Sequence, residues 1–448
     1  MSGARTYYVL IATQGLSWIG SQTSSLAVGI AVFRLTGHAT PLALISVFWA
    51  GPQVLLGGLG GAVADRFDRR SLMVAANLGY AASSALLLLA FVSGAFQLWQ
   101  LYALTAVDSV FGAVAAPALQ ASVAMLVPDR DRDRANAIQE LTYPGAVVIA
   151  AALAGALYAA FGVAGAILID MLTFVVAVAV LAAVRIPMPA PSAERRGRTG
   201  GGLWRQSFDG FRYLASVPAL LTLCIFISLV SATAGSFFWA LMTPYVLERV
   251  HATTTFGIVV GVGFSGAILG ALAMAAWGGT RPRIHTVMVS TLLAGLGMAL
   301  TGLARGPVSL AAAMFTLTFV IPFVNAALSS IFQGVIAPDR QGRVFAAMGQ
   351  LTALLSPLAS LAAGPLADRV FEPAVGRPGW RAVAWAVGAA PGAGIGLMYA
   401  IAGLWIVGLT AAVYASPAVR RVEAPRPAPD AAARLTSPWA DRRPRPRR

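Results

Sequence analysis

Three carboxylic acids stand inside apolar sequence: Asp108, Asp170 and Glu140. A charge at the centre of a bilayer costs at least ~2.5–3.5 kcal/mol, so such an acid pairs, bonds to a neighbouring helix or takes up a proton. Asp108 lies about twelve residues into its apolar block, near mid-depth. Protonation would remove the cost of burying it, which makes Asp108 the candidate proton carrier. The plainer reading is a carboxyl bonded to a neighbour, with Tyr102 or Thr105 as expected partners. Asp170, in the string IDMLTF, sits nearer one end of its block and reads as structural. Glu140 falls close to Arg134 and reads as an interfacial ion pair.

A polar stripe accompanies these acids. Gln14, Trp18 and Gln22 recur at i, i+4 and i+8 and share one helix face. Phe237 and Phe238, between Ser236 and Trp239, form an aromatic patch, and Phe315, Phe319 and Phe323 recur every four residues. Aromatic stripes serve packing as readily as binding. The three histidines, His38, His251 and His285, have no ligand spacing, and Cys224 is the one cysteine, so neither a metal centre nor an internal disulfide is expected. Gly261-x-Gly263-x-x-Gly266 has the form of a dinucleotide fingerprint but lies in an apolar block with no preceding strand. Gly257, Gly261, Gly266 and Gly270 also make two GxxxG pairs, so close helix packing is the better reading. No phosphate-binding GxxxxGK[ST] is present, no cofactor is expected, and nothing suggests an enzyme.

The elements that must position these residues are membrane helices. Of 448 residues, 58% are hydrophobic and only 11% charged, with a mean hydropathy of +0.75. That balance excludes an ordinary soluble domain. Apolar blocks long enough to span ~30 Å of hydrocarbon occur about twelve times, near 7–33, 39–64, 71–93, 96–119, 138–161, 163–184, 218–247, 254–277, 284–304, 307–331, 343–367 and 391–414. The first is too long for a signal peptide. All 32 basic residues are arginine, and if the N-terminus is cytoplasmic 26 of them fall inside and six outside. The positive-inside rule then puts both termini in the cytoplasm of a multi-pass cell-membrane protein. The net charge of +15 is spread over loops with no binding domain, which argues against nucleic acid.

Residues 185–217 divide the chain: prolines, the basic run Glu194–Arg198, three glycines and an amphipathic stretch at 203–215 that suits the membrane surface. Six spans precede this linker (1–184) and six follow it (218–415). From 416 to 448 an Arg/Pro-rich tail is expected to be disordered, its arginines near anionic lipid. An internal repeat supports the division. Pro128-Asp129-Arg130 recurs as Pro338-Asp339-Arg340 at an offset of 210, while Arg134 aligns with Arg343 and Gly155 with Gly364 at 209.

Between the second and third blocks the chain reads GGLGGAVADRFDRR, a tight hairpin of glycines and charges over 57–70. Its pattern, Gly61-x-x-x-Asp65-Arg66-x-x-Arg69-Arg70, resembles the signature loop of the major facilitator superfamily, with Asp68 where that family usually has glycine. An acid there resembles the exporter branch that includes the enterobactin exporter and related secretion effectors. The resemblance implies an all-α fold of twelve transmembrane helices in two pseudo-symmetric six-helix bundles. It also implies that spans 1, 4, 7 and 10 line a central cavity. Gln14, Trp18, Gln22, Phe111, Phe237, Phe238 and Phe319 are then candidate cavity residues. Gly61, Asp65, Arg66, Arg69, Arg70, Arg134 and Arg343 become candidates for a cytoplasmic gate.

Departures from the family pattern matter too. Asp108 precedes Gly112 by four, where drug antiporters of the family often carry arginine. Pro144-Gly145 reverses the Gly-Pro pair expected in span 5. A large, mostly apolar chamber with few polar groups suits amphipathic solutes. No basic residue sits at mid-depth, which argues against an organic-anion or phosphate permease. The expected function is proton-coupled efflux of amphipathic, drug- or siderophore-like molecules by a monomer whose partners are the solute, protons and lipid. A solute importer and a non-transporting sensor or scaffold are the rivals.

Overall fold

A computed structural model describes the backbone of residues 3–126, 132–183, 212–336 and 338–423. Within these, the side chains of 3–5, 57–62, 64–66, 120–126, 132–137, 139–140, 338–340, 342–343 and 346 lie outside the described set. The described chain is helical and forms twelve spans. They are α1 (Gly3–Thr36), α2 (Thr40–Arg66), α3 (Arg69–Val92) and α4 (Leu98–Leu126). The stretch Arg132–Ala183 breaks at Gly162, whose φ of 66° lies outside helical space, into α5 before it and α6 after it. α7 comprises Pro218–Ser231, a π-helical turn Ala232–Phe237 and Phe238–Val250. α8 (Thr253–Trp277), α9 (Arg283–Leu303) and α10 (Pro307–Val335) follow. α11 (Pro338–Leu366) runs on through a π turn, Ala367–Phe371, and α12 is Ala393–Ala415. An even number of crossings puts both ends on one face, called here the terminus face, opposite the far face.

The GxxxG reading is realised on two sides of α8. A Cβ on Gly257 would lie 2.5 Å from the Ala151 carbonyl of α5, and one on Gly261 3.4 Å from that of Val148. On the other side, a Cβ on Gly266 would lie 2.5 Å from the Phe315 carbonyl of α10. Glycine is required where backbones approach this closely. The aligned glycines of the internal repeat close equivalent seams. Gly155 of α5 packs on Thr253 and Gly257 of α8, and Gly364 of α11 on Thr40 and Ala43 of α2. Gly29 of α1 faces Thr243 of α7, and one buried core runs through Ala39, Ala43, Ala151 and Ala154 into the second bundle. These contacts between the bundles lie toward the far face.

One expectation changes here. The tail expected to begin at 416 stays packed to Glu423: Pro417–Arg420 is helical, and Val419 and Val422 are buried. The Glu423 carboxylate accepts from the Ile284 N–H (3.0 Å) at the start of α9, where the negative charge meets the positive end of the helix dipole. Residues 424–448 and most of the linker, including 203–211, lie outside the described residues. The residues 212–215 are helical, with Leu214 buried.

Asp68, the departure in the hairpin, caps α3. Its Oδ2 accepts from the Ser71 N–H (3.0 Å) and the Ser71 hydroxyl (2.7 Å). The bond from the Ser71 hydroxyl is the largest cause holding the Asp68 carboxyl below its ordinary value. A depressed folded-state value means the cap stabilises fully above the ordinary carboxylate range and is lost as pH falls through the lowered value. Asp68→Ala should lower stability by about 1 kcal/mol at neutral pH. Thermal denaturation at pH 7 and pH 3 checks this, because the gap between wild type and variant should shrink in acid.

Candidate functional site

Asp108 of α4 meets α3 and α6. Ser83 and Tyr80 of α3 and Asp170 of α6 lie within electrostatic reach of it. Its Oδ1 is buried with no hydrogen-bond partner among the described residues. Tyr102, an expected partner, instead donates to the Pro41 carbonyl (3.4 Å), because it faces α2. Thr105 is likewise not found bonded to Asp108. One turn on, a Cβ on Gly112 would stand 3.2 Å from the Tyr80 hydroxyl and 3.6 Å from Nε2 of Gln53. Asp108 thus has a polar, hydroxyl-rich neighbourhood on one side of α4.

Asp170 is fully engaged. Its Oδ1 accepts from the Ser21 hydroxyl of α1 (3.0 Å) and its Oδ2 from the Ser84 hydroxyl of α3 (2.9 Å). The residue is 7% exposed. Of the adjacent serines of α3, Ser84 therefore bonds to Asp170, while Ser83 stands near Asp108. This neighbour set escaped the sequence reading, since small hydroxyl residues are common in membrane helices and mark no chemistry by themselves. The available signal was a Ser-Ser pair at mid-span together with Ser17 and Ser21 one turn apart on α1.

The span 1 stripe leads to α5. The Trp18 ring meets Tyr143 edge-on, centroids 5.6 Å apart, and Gln22 Nε2 donates to the Tyr143 hydroxyl at 3.5 Å. Tyr143 is 45% exposed, so this polar corner is open on one side. Gln14 shares the face and is half-buried. In the second bundle Phe315, Phe319 and Phe323 form a ladder with centroids 5.8 and 5.5 Å apart, which continues to Trp277 at 6.0 Å. Phe237 is half-buried and closes the π turn of α7. Two expected cavity residues sit elsewhere. Phe238 is 3% exposed and packs on Tyr399, whose hydroxyl donates to its carbonyl (2.8 Å), so it belongs to the core. The Phe111 ring covers Gly79 and meets Tyr80 edge-on, so it fills the space between α3 and α4.

At the hairpin, Arg70 Nε donates to the Leu181 carbonyl (2.7 Å) and its NH2 to Ala182, which ties the loop to the end of α6. Arg69 is buried. Gly61, Asp65, Arg66, Arg134 and Arg343 fall on helices, but their side chains lie outside the described residues, as do those of Glu140 and its expected partner.

A profile of the Major Facilitator Superfamily matches residues 10–360, and the chain belongs to that family of multi-pass membrane transporters. Among known proteins it is 25% identical over 375 residues to macrolide efflux protein A of Streptococcus pyogenes, spanning 81% of this chain and 90% of that one. It is 24% identical over 349 residues to the multidrug efflux pump Tap of Mycolicibacterium fortuitum, 75% of this chain and 83% of that one. Among solved structures it resembles a bacterial homologue of the human lysosomal transporter Spinster in an inward-facing, unoccupied conformation. That match has a TM-score of 0.71 at 15% identity, over 95% of this chain and 99% of that one. The nucleoside transporter NupG matches with a TM-score of 0.67 at 12% identity, over 92% and 99%.

Proposed function

We propose that this transporter is a proton-coupled efflux carrier for amphipathic small molecules, working by alternating access. Two of its relatives are named for efflux of macrolides and of multiple drugs, which supports the direction and the solute class. The observation that carries the coupling is Asp108, a mid-span carboxyl with an unpartnered, buried Oδ1 beside a second acid. Leaving such an oxygen ionised is unfavourable, and a proton neutralises it. Loading and release of that proton, on opposite sides of the membrane, would couple the gradient to the solute. Both termini and the linker lie in the cytoplasm, as the arginine distribution favours. The working unit is one chain of two bundles, 1–184 and 218–415, joined by the linker.

The corner of Trp18, Gln22 and Tyr143 is the polar wall of the chamber, and the Phe315–Phe319–Phe323 ladder is its apolar wall. Such a chamber accepts a molecule with one polar and one hydrophobic side. Tyr143→Phe removes the hydroxyl that Gln22 meets and should raise the transport KM roughly 2- to 10-fold, the worth of about one hydrogen bond. Concentration-dependent flux of a macrolide in proteoliposomes measures it.

The same proteoliposomes test the function. With an imposed pH gradient, a panel of macrolides, lipophilic cations and catecholate siderophores should yield at least one solute that moves against its own gradient. Flux indifferent to the pH gradient would remove proton coupling, and no flux for any compound would remove the carrier reading.

A further inference from the structure

The far end of α11 reads Gly364-Pro-Leu-Ala-Asp368-Arg369, and the terminus-face end of α2 reads Gly61-Ala-Val-Ala-Asp65-Arg66. One spacing, Gly-x-x-Ala-Asp-Arg, therefore closes two helices that pack together and run in opposite directions. The α11 string lies beside the start of α2. The α11 string can be followed atom by atom. A Cβ on Gly364 would stand 2.6 Å from Thr40 Cα and 2.9 Å from Ala43 Cβ, so glycine permits the approach.

One turn later Asp368 reaches across to the other bundle. Its Oδ1 accepts from the Ala39 N–H (2.8 Å), and its Oδ2 from the Thr40 N–H (2.7 Å) and the Thr40 hydroxyl (2.6 Å). His38 Nδ1 lies 3.9 Å from Oδ1. α2 has no side-chain cap from its own N-cap residue, Ala39. Its first backbone donors are met by an acid from the opposite bundle, where the helix dipole favours negative charge. The second seam lacks this device. Gly155 occupies the place of Gly364 there, but the repeat offset of 209 puts Ala159 at the counterpart of Asp368.

We propose that Asp368 is the latch of the far gate, holding that face shut by capping α2 from the opposite bundle, and that its release opens the face in the transport cycle. The latch acts whatever the solute, the coupling ion or the direction of flux, so it stands or falls separately from the efflux reading. Glycine sets the distance, and the carboxylate supplies three bonds that exist only when the bundles touch at this end.

The test places spin labels at Leu35→Cys and Val308→Cys, exposed positions at the far ends of α1 and α10, in a Cys224→Ala background in lipid nanodiscs. Distances are measured by double electron–electron resonance without solute. The unmodified latch should give mainly the short, closed distance. Asp368→Asn keeps the shape but removes the charge, and should shift the equilibrium toward the separated distance roughly 5- to 30-fold. Gly364→Ala, which leaves Asp368 in place but wedges the seam, should shift it the same way. If Asp368→Asn does not fold, Thr40→Val removes one of the three bonds and should give a smaller shift. Unchanged distances in the folded variants would overturn the proposal.

Discussion

Asp108→Asn is expected to abolish gradient-driven accumulation of solute while leaving the protein folded. One proton crossing ~100 mV supplies ~2.3 kcal/mol, enough to sustain roughly 50-fold accumulation per proton. Asparagine fills nearly the same volume, but it carries no exchangeable charge. Accumulation should therefore fall to about the equilibrated level, while downhill exchange of solute between the two sides persists. The thermal midpoint should stay within a few degrees, because the buried Oδ1 that the variant neutralises had no bond to lose. A variant that loses exchange as well would place Asp108 in substrate binding or folding, not in coupling.

Asp170→Ala should do the reverse. Its carboxylate receives the Ser21 and Ser84 hydroxyls and so joins α1, α3 and α6 at a buried point. Alanine leaves the buried Ser84 hydroxyl and the half-buried Ser21 hydroxyl without this acceptor, and a void where the carboxylate stood. The expected loss is about 3 kcal/mol, seen as a thermal midpoint several degrees lower. Asp170→Asn keeps an acceptor for one serine and a donor for the other, and should cost less than ~1 kcal/mol. If the asparagine variant were as unstable as alanine, the negative charge itself would be needed at this position. The two acids thus separate by readout, Asp108 in coupling and Asp170 in stability.

The fold was legible because the bilayer dictates it. Apolar blocks of about 20 residues, separated by arginine-bearing loops, leave little freedom in where the helices begin and end. The glycines of α8 were legible as packing residues for the same reason, and the structure puts Gly257 on α5 and Gly266 on α10. Asp108 stood out because charges are rare at mid-span. Its partners did not, since Ser83 and Ser84 look like any small pair in an apolar helix and Tyr80 carries no periodic mark. Phe238 read like its neighbour Phe237, yet they fall on opposite sides of the junction where the π turn ends, one in the core and one half-buried. A local change of helical pitch leaves no trace in a spacing argument. Asp368 carried no signal in the sequence, because its role depends on a helix start 328 residues away. The resemblance directed attention to Asp65 at the opposite end of α2.

The central claim, that Asp108 exchanges its proton for solute, is tested most directly by counting protons. Purified protein in weakly buffered detergent near neutral pH, with an indicator dye, is mixed with a solute that the flux panel has identified. The account predicts release of up to one proton per bound solute, absent in Asp108→Asn and retained in Asp170→Asn. Solute binding with no proton release in the unmodified protein at any pH, or equal release in Asp108→Asn, would contradict it.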